Sequence, residues 1–552
     1  MAYLGKSPSQ GVRNRYYFTA SGSETSISGA LTGGTLTFTD GNYVDVILNG
    51  VTLVAGTDYN TSTANTIAGL SALTASDVVE IVVYDVFSVF SGNVNSDFSI
   101  GGNLSVTGTV DIDGAATTDG ITNAGNFSTD GGTIKLDGNY PTGTNNVALG
   151  DTALDDGSLS GGNNTAIGHA ALSANTSGAE NIAVGMSALV ANTTGASNTA
   201  VGHRALDNNT TASNNTAMGF RALDANTTGA QNVAIGSYAL DANTTANNNI
   251  AIGDSTLTSN TTGTSNVAVG REALKNNTTA DSNTAFGHEA LKANTTGTLN
   301  VAVGAKALDA NTTANSNTAI GQNAMTANTT GEENTAVGRA ALQNNTVASS
   351  NTAIGYASMD ANVNGARNVA VGYASLDAST SSDRNVAIGY NAMTANTTGG
   401  RNTAMGYGAL EAYNATDSGV DYNTAIGYSA MNSSTTAEIN TAVGGLAMET
   451  NTTGGSNTAV GYQSLYANTT GAGNVAVGAH ALDASTTATG NTAVGEQSLT
   501  SSTTGYANVS IGFRAGVNLT TGHLNTLVGG SYSNYVGGAL TTGIGNTLIG
   551  TD

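Results

Sequence analysis

The sequence predicts an all-β protein dominated by a β-solenoid, a stack of short coils built from one repeated unit. Three observations lead to this prediction. A 17-residue unit recurs through most of the 552-residue chain. Charged residues make up only 10% of the chain and Gly contributes 73 residues, whereas ordinary globular domains hold roughly 25% charged residues and about 7% Gly. Finally, the unit leaves only short segments between its Gly and Asn corners, and helices need roughly 10 residues or more.

Residues 1–92 differ in kind and predict a small N-terminal β-sandwich. Tyr43–Leu48 and Val51–Val54 alternate in strand fashion around Asn49-Gly50, and Asn-Gly between two such runs is a strong hairpin signal. Asp77–Tyr84 predicts a further strand. The apolar residues of this region suffice for a modest core.

Residues 93–145 predict a thin β shaft that connects the two larger regions. Gly102–Asp111 contains short strand-like runs between glycines, and Pro141 follows later. The segment has too few large apolar residues to form a domain of its own.

Residues 146–552 form the predicted solenoid rod. The pentapeptide Asn-x-[small or Leu]-apolar-Gly occurs 24 times between Asn146 and Gly550. Counting this Asn as position 1, the unit reads N-[TV]-A-[VI]-G-x-x-A-L-x-A-N-T-T-[GA]-x-x. We predict two short strands in each coil, with Asn ladders at positions 1 and 12. One strand spacing of about 4.8 Å per coil gives a rod on the order of 110 Å long.

The distal end of the rod begins at about residue 508. There position 3, which is Ala in the preceding units, becomes Ser510, Leu527 and Leu548. We expect these larger residues to widen the last coils and to form a cap, because a solenoid end needs one.

The alternation within the repeat predicts oligomerisation. Neighbouring strand residues point to opposite faces, and Ala at position 3 alternates with a large apolar residue at position 4, as in Val184. Positions 4 and 9 (Val184 and Leu189) are expected to fill the coil, and the Ala face is expected to pack on partner chains. The alternative is a single solenoid whose Ala face is exposed.

Composition argues against several classes of function. A formal net charge of −23 disfavours nucleic acid as a partner. Without Cys there are no disulfides and no thiolate zinc sites. No run of 18 apolar residues and no signal peptide is found, so we expect no membrane insertion. The His residues fall largely at a variable register position, and the Asp residues at position 10 fit a solvated acidic edge better than acid/base pairs. We therefore predict a protein that is not an enzyme, with no catalytic residues, no metal and no cofactor.

A cluster near the start is one candidate contact site. Lys6, Arg13 and Arg15 lie close to Tyr16 and Tyr17 in the sequence. They fit either ordinary surface charge or a patch that docks on an acidic partner.

Aromatic residues supply the other candidates. Position 6 is Tyr in six of seven consecutive coils, with Gly445 as the exception. These residues are Tyr356, Tyr373, Tyr390, Tyr407, Tyr428 and Tyr462. Exposed aromatic rings could stack on sugar rings of a bacterial surface polysaccharide, or they could pack on one another and stiffen the rod. Tyr532 and Tyr535 at the distal end are ranked equally as receptor contacts.

Several segments resemble bacteriophage tail fibres, notably those of phages that infect cyanobacteria. They are Gly5–Ala20, Val44–Gly56 with the following Asp58-Tyr59, and Asn103–Gly108. The Asn-Thr-Ala-Val-Gly repeats are similar to repeats of phage fibres and to the head repeats of trimeric autotransporter adhesins, which form trimeric β-rolls.

The resemblance implies a structural component of the virion, located in the phage tail. Residues 1–92 would attach to tail or adaptor proteins, and the rod would bind a host surface polysaccharide or an outer-membrane receptor. It also implies a homotrimer. Two alternatives remain open, namely a bacterial trimeric surface adhesin and a tailspike that degrades polysaccharide, with an ice-binding solenoid as a more remote one.

Overall fold

A computed structural model describes residues 13–84, 144–415, 421–530 and 536–550. The all-β prediction is confirmed, since the described residues form strands, turns and one 3-10 turn at Gly41–Tyr43. In these ranges no helix is long and apolar enough to cross a membrane. The chain divides into two compact units, residues 1–128 and 129–552. Nearly all of the predicted shaft lies outside the described residues, so the boundaries at residues 92 and 145 stay predictions.

Residues 13–84, the described part of the N-terminal unit, contain eight strands. They are β1 (Arg13–Thr19), β2 (Ser26–Ser28), β3 (Ala30–Leu31), β4 (Gly34–Thr35), β5 (Val44–Leu48), β6 (Val51–Thr52), β7 (Thr66–Ala68) and β8 (Val78–Tyr84). Antiparallel pairing gives a four-stranded sheet in the order β1-β8-β5-β6, and β2 pairs with β7 and β3 with β4 in two small sheets.

A single core joins the sheets of this unit. Val46 and Ile81 of the large sheet are fully buried together with Ile27 and Ile67 of the β2–β7 sheet. The predicted hairpin is confirmed, because Asn49-Gly50 links β5 to β6 with φ of 51° and 85°. A turn with positive φ at both central residues matches the twist of the two strands, which is why Asn-Gly signals it.

The second unit contains, within its described residues, 24 strands of three residues each. They are β9 (Val147–Leu149), β10 (Thr165–Ile167), β11 (Ile182–Val184), β12 (Thr199–Val201), β13 (Thr216–Met218), β14 (Val233–Ile235), β15 (Ile250–Ile252), β16 (Val267–Val269), β17 (Thr284–Phe286), β18 (Val301–Val303), β19 (Thr318–Ile320), β20 (Thr335–Val337), β21 (Thr352–Ile354), β22 (Val369–Val371), β23 (Val386–Ile388), β24 (Thr403–Met405), β25 (Thr424–Ile426), β26 (Thr441–Val443), β27 (Thr458–Val460), β28 (Val475–Val477), β29 (Thr492–Val494), β30 (Val509–Ile511), β31 (Thr526–Val528) and β32 (Thr547–Ile549).

Each of these strands pairs in parallel with the strand of the next coil, in identical register. Thr165 lies opposite Ile182 and Ala166 opposite Ala183, and the same correspondence continues from β9 to β32. The β-solenoid prediction is therefore confirmed. Because register positions superpose from coil to coil, a residue type repeated every 17 residues becomes a continuous row along the stack.

The prediction of two strands per coil is wrong, since only positions 2 to 4 form a strand. Positions 7 and 9 adopt left-handed backbone conformations, as in Ser187 (φ 57°) and Leu189 (φ 53°). Alternating left-handed residues turn the chain instead of extending it. Leu does not favour that conformation and position 7 varies from coil to coil, so the residue types gave no sign of it.

Gly at position 5 is dictated by the stacking of the coils. Gly287, for example, has φ 142°, and a Cβ on it would lie 2.5 Å from the carbonyl oxygen of Gly304 in the next coil. Both the conformation and the close approach of two backbones require a residue without a side chain. This explains why all 24 units carry Gly at this position.

The interior of each coil is narrow, and the predicted orientation of the strand is wrong. Ala183 at position 3, Ala188 at position 8 and Leu189 at position 9 are fully buried, whereas Val184 at position 4 is half-exposed. Position 9 is thus a core residue as expected. Position 4 points outward, because the space opposite Leu189 admits only the methyl group of an Ala.

One of the larger residues in the distal coils is fully buried, and a smaller residue opposite it compensates for its size. Leu527 at position 3 is fully buried. It is accommodated because Gly516 replaces the usual Leu at position 9, and a Cβ on Gly516 would lie only 2.7 Å from Leu527 Cδ1. The large and the small residue have exchanged places across the coil, which preserves the packing.

The predicted Asn ladders are confirmed at both corners. At position 1, the Asn181 backbone N–H donates to Asn164 Oδ1 at 2.9 Å, and Asn181 Nδ2 donates to the Gly195 carbonyl at 2.9 Å. At position 12, Asn192 Nδ2 donates to Asn175 Oδ1 at 2.9 Å. These side chains are fully buried, so the ladders satisfy backbone groups that water does not reach.

Candidate functional site

The outward side of the stacked strands, which we call the outward face, consists of the side chains at positions 2 and 4 of β9 to β32. Position 4 is apolar in every one of these strands, whereas position 2 is Thr in 14 of them and Val or Ile in the other ten. Phe286 is 56% exposed, Met218 42% and Ile167 39%. With 24 rows about 4.8 Å apart and a width of about 7 Å, the outward face covers on the order of 700 Å². Soluble monomers rarely expose apolar patches larger than a few hundred Å².

Five tyrosines form a stacked row beside this face, which we call the tyrosine ladder. Its members are Tyr356, Tyr373, Tyr390, Tyr407 and Tyr428. Successive ring centroids lie 5.0–5.4 Å apart and the rings are within 15° of parallel. The ladder arises because position 6 follows the Gly corner directly, so that equivalent side chains leave successive coils in the same direction. Neighbouring rings cover each other's faces and leave their edges in solvent.

The two ends of the ladder differ. At one end the Arg339 guanidinium lies 5.6 Å from the centroid of the Tyr356 ring. At the other end Gly445 occupies position 6, and Tyr428 is the most exposed member at 60%, against 44–50% for the others. The sixth predicted tyrosine, Tyr462, lies beyond Gly445 and contacts His480 edge-on, with centroids 5.5 Å apart.

Sequence reasoning missed Arg339 and His480 as the residues that flank these rings. Both occupy positions beside the tyrosine row, positions 6 and 7 of their coils, so the register alone could have identified them. Whether the tyrosines contact a receptor stays a prediction, since stacking of the rings is compatible with both interpretations given above.

Charged side chains form a second row, at positions 7 and 10. Arg204 pairs with Asp207 at 2.9 Å and with Asp224 of the next coil at 3.4 Å, and Arg221 pairs with Asp224 at 2.7 Å. The Asp224 carboxylate is only 4% exposed. The expected solvated acidic edge is therefore wrong here, because the carboxylates lie half-buried or deeper and in this stretch are paired with cations.

A similar network links the next coils. Lys292 Nζ lies 2.7 Å from both Glu272 and Glu289, and Lys275 also reaches Glu272. The hydrogen bonds from Lys292 and Lys275 lower the pKa of Glu272 to about 2. Lys306 of the following coil lies 3.5 Å from Glu289, so the network cross-links three coils.

Asp360 and Asp377 occupy the same row without this compensation. Position 7 of their coils holds Ala357 and Ala374. Burial raises the pKa of both carboxyls, and for Asp377 the neighbouring Asp360 adds to the shift. Within the described ranges, no group of three or more His, Asp or Glu residues could hold a metal ion.

The N-terminal candidates divide between two faces of β1. Arg13, Arg15 and Tyr17 share the outer face, where Arg15 pairs with Glu80 at 2.8 Å and the Arg13 guanidinium lies 5.3 Å from the Tyr84 ring centroid. Tyr16 points the other way and belongs to the core. Three of the five candidates thus form one surface, and Tyr16 supports it from beneath.

The remaining candidates, Lys6, Tyr532 and Tyr535, lie outside the described residues. No protein family matches this chain, and neither does a curated protein or a solved structure. The fold and the surfaces described above are therefore the basis on which a function is proposed.

Proposed function

We propose that the chain is a structural tail fibre of a bacteriophage, which attaches to the virion by its N-terminal unit and adheres to the host surface through the solenoid. The observation that carries this proposal is the outward face. A row of apolar side chains at position 4 of all 24 strands, each exposed or partly exposed in the single chain, is the feature of a rod that assembles with other chains.

The occupant of the outward face that fits best is a second and a third copy of the same chain. A partner must present complementary apolar rows at the same spacing, about 4.8 Å, over on the order of 110 Å. Another copy of the solenoid meets that requirement. A homotrimer, in preference to a dimer, follows from the resemblance to trimeric fibres and adhesin heads. The Ala side chains, expected to lie between chains, fill the interior of the coil instead, and the outward face takes their place in the proposed assembly.

The N-terminal unit supports the proposal through its resemblance to virion-attachment domains and through its outer face. Arg13, Arg15 and Tyr17 offer guanidinium groups and an aromatic hydroxyl on one rigid sheet. Such residues are enriched in protein–protein contacts. Tail or adaptor proteins would be the partners, and a bacterial surface polysaccharide or outer-membrane receptor would be the distal ligand.

Immunogold electron microscopy of phage particles that encode this chain tests the proposal. Antibodies raised against the purified protein are expected to label tail appendages, and the same antibodies are expected to block adsorption to host cells. Labelling confined to bacterial cell surfaces, with no gold on particles, would overturn the tail-fibre assignment and favour a bacterial adhesin.

A further inference from the structure

We infer that Gly445 opens a ring-sized slot between Tyr428 and Tyr462 that binds one neutral hexopyranose unit of a surface polysaccharide. This inference rests on the proposed function, because it names the ligand class of the adhesive rod. Its basis is the interruption of a row of aromatic rings by one missing side chain.

The spacing of the row defines the slot. Rings in the tyrosine ladder repeat at 5.0–5.4 Å. Tyr428 and Tyr462 belong to coils two steps apart, so their attachment points are about 10 Å apart. One ring placed midway would lie at the distance from each wall that the tyrosines keep among themselves.

Tyr462 borders the slot on one side, since its Cδ2 lies 3.6 Å, an ordinary van der Waals distance, from the place that a Cβ on Gly445 would occupy. Apart from the chain neighbours of Gly445, no other described residue has an atom within 4 Å of that place. Tyr428 is 60% exposed, whereas the ladder tyrosines that have a ring on both sides are 45–50% exposed. The difference arises because no ring covers the side of Tyr428 that faces Gly445. Position 6 also follows the Gly corner, so the slot lies beyond the strands that carry the outward face.

Both walls are held from behind. Tyr407 stacks on the far side of Tyr428, with centroids 5.4 Å apart, and His480 meets Tyr462 edge-on. Neighbours on the far sides restrict the two rings, so little side-chain freedom remains to be lost when a ligand enters.

The chemistry of the slot selects a neutral sugar. Tyrosine rings offer apolar faces to the C–H groups of a pyranose and hydroxyls to its polar edge. Leu446 adds an apolar neighbour to Gly445. With a formal net charge of −23 on the chain, a uronate or a sulfated sugar would be repelled.

Filling the slot tests the inference. In Gly445→Tyr the ladder would continue through the gap, and Ala305→Tyr adds a tyrosine at the same register position far from it. The full-length protein is titrated with cellohexaose, a neutral chain of glucopyranose rings, and with hexameric oligogalacturonate as an anionic counterpart. Saturation-transfer NMR measures binding.

We expect cellohexaose to bind the wild type and Ala305→Tyr equally and Gly445→Tyr about tenfold more weakly or not at all. Tyr462→Leu, which removes one wall without filling the slot, is expected to weaken binding likewise and covers the case that Gly445→Tyr fails to fold. Equal binding by Gly445→Tyr and wild type, no binding of cellohexaose to wild type, or preference for oligogalacturonate would each overturn the inference. A negative binding result would overturn the sugar-binding slot without changing the immunogold result. Absence of gold on particles would overturn the tail-fibre assignment without changing the measured sugar binding, so the two proposals can fail separately.

Discussion

Single residues fix the geometry of the solenoid more strictly than their chemistry suggests. Gly at position 5 is needed because two backbones meet there in a left-handed conformation, and Asn at positions 1 and 12 supplies hydrogen bonds to buried backbone groups. These roles were predictable, because Gly and Asn have few other reasons to recur at one position. The left-handed Leu at position 9 was not predictable, because Leu carries no such preference.

Substitution of a corner glycine is expected to be severe. Gly287→Ala should destabilise the solenoid by about 3 kcal/mol or more, because it combines a strained φ with a clash against Gly304. Urea unfolding measures the change. Gly445→Ala is the matched control, since its added methyl group makes only an ordinary van der Waals contact, 3.6 Å from Tyr462 Cδ2, and ought to shift the midpoint little. Equal effects of both variants would contradict the stacking account.

Removal of one ladder amide is expected to cost about 2–4 kcal/mol. Asn266 accepts from the Asn283 backbone N–H at 3.0 Å and donates to the Ala280 carbonyl at 2.8 Å. Asn266→Ala leaves both backbone groups without these bonds in a buried site. The exposed Asn276→Ala is the control, because position 11 is Ala in most coils, and its unfolding free energy should be nearly unchanged. A comparable loss in both variants would argue against the ladder.

At the scale of one element, the coil, the sequence predicted strand position and ladders but not which side of the strand faces inward. Alternation of Ala with Val or Ile is symmetric, and hydrophobicity alone assigned the larger residue to the core. The interior of the coil is narrow, and it therefore places Ala inward and the larger residue outward. Gly516 facing Leu527 was the one signal in the sequence that could have shown this, since a large residue at position 3 coincides with the loss of one at position 9.

The row of charges along neighbouring coils predicts a pH dependence. The raised pKa values of Asp360 and Asp377 mean that burial of their charged forms opposes folding at neutral pH. Replacing both by Asn should therefore raise the urea midpoint at pH 7. The gain should shrink as pH falls through the raised folded pKa towards the ordinary value of 3.8, where the wild-type carboxyls become protonated.

Asp224→Asn is the contrasting variant in the same row. Because Asp224 pairs with Arg221 and Arg204, its replacement should lower the midpoint at pH 7. A pH-independent gain for the Asp360 and Asp377 variant, or stabilisation by Asp224→Asn, would contradict the assignment of buried unpaired and buried paired carboxylates.

At the scale of the whole molecule, the outward face connects the fold to the proposed function. The amino-acid composition and the 17-residue period of the repeat were sufficient to predict the stacked coils. The residues proposed to bind the host were predicted only as rows, because the register places side chains along a line without showing which of them a neighbouring side chain covers. Only the structure distinguishes Tyr428 and Tyr462 from the other tyrosines, because the side of each ring that faces Gly445 has no neighbouring ring.

Charges introduced on the outward face should prevent assembly without unfolding the coil. Phe286→Asp combined with Ile320→Asp places two carboxylates where partner chains would meet, and both side chains are exposed in the single chain. The double variant is expected to be monomeric with wild-type circular dichroism. Thr313→Asp, at an exposed position on another side of the coil, should leave the assembly intact.

The most direct test of the central claim is the solution mass of the full chain, measured by light scattering coupled to size exclusion. The proposed homotrimer predicts a mass of three times 54.5 kDa and early elution. A mass of 54.5 kDa at micromolar concentration would contradict it, because the apolar outward face would then be exposed to water along its entire length.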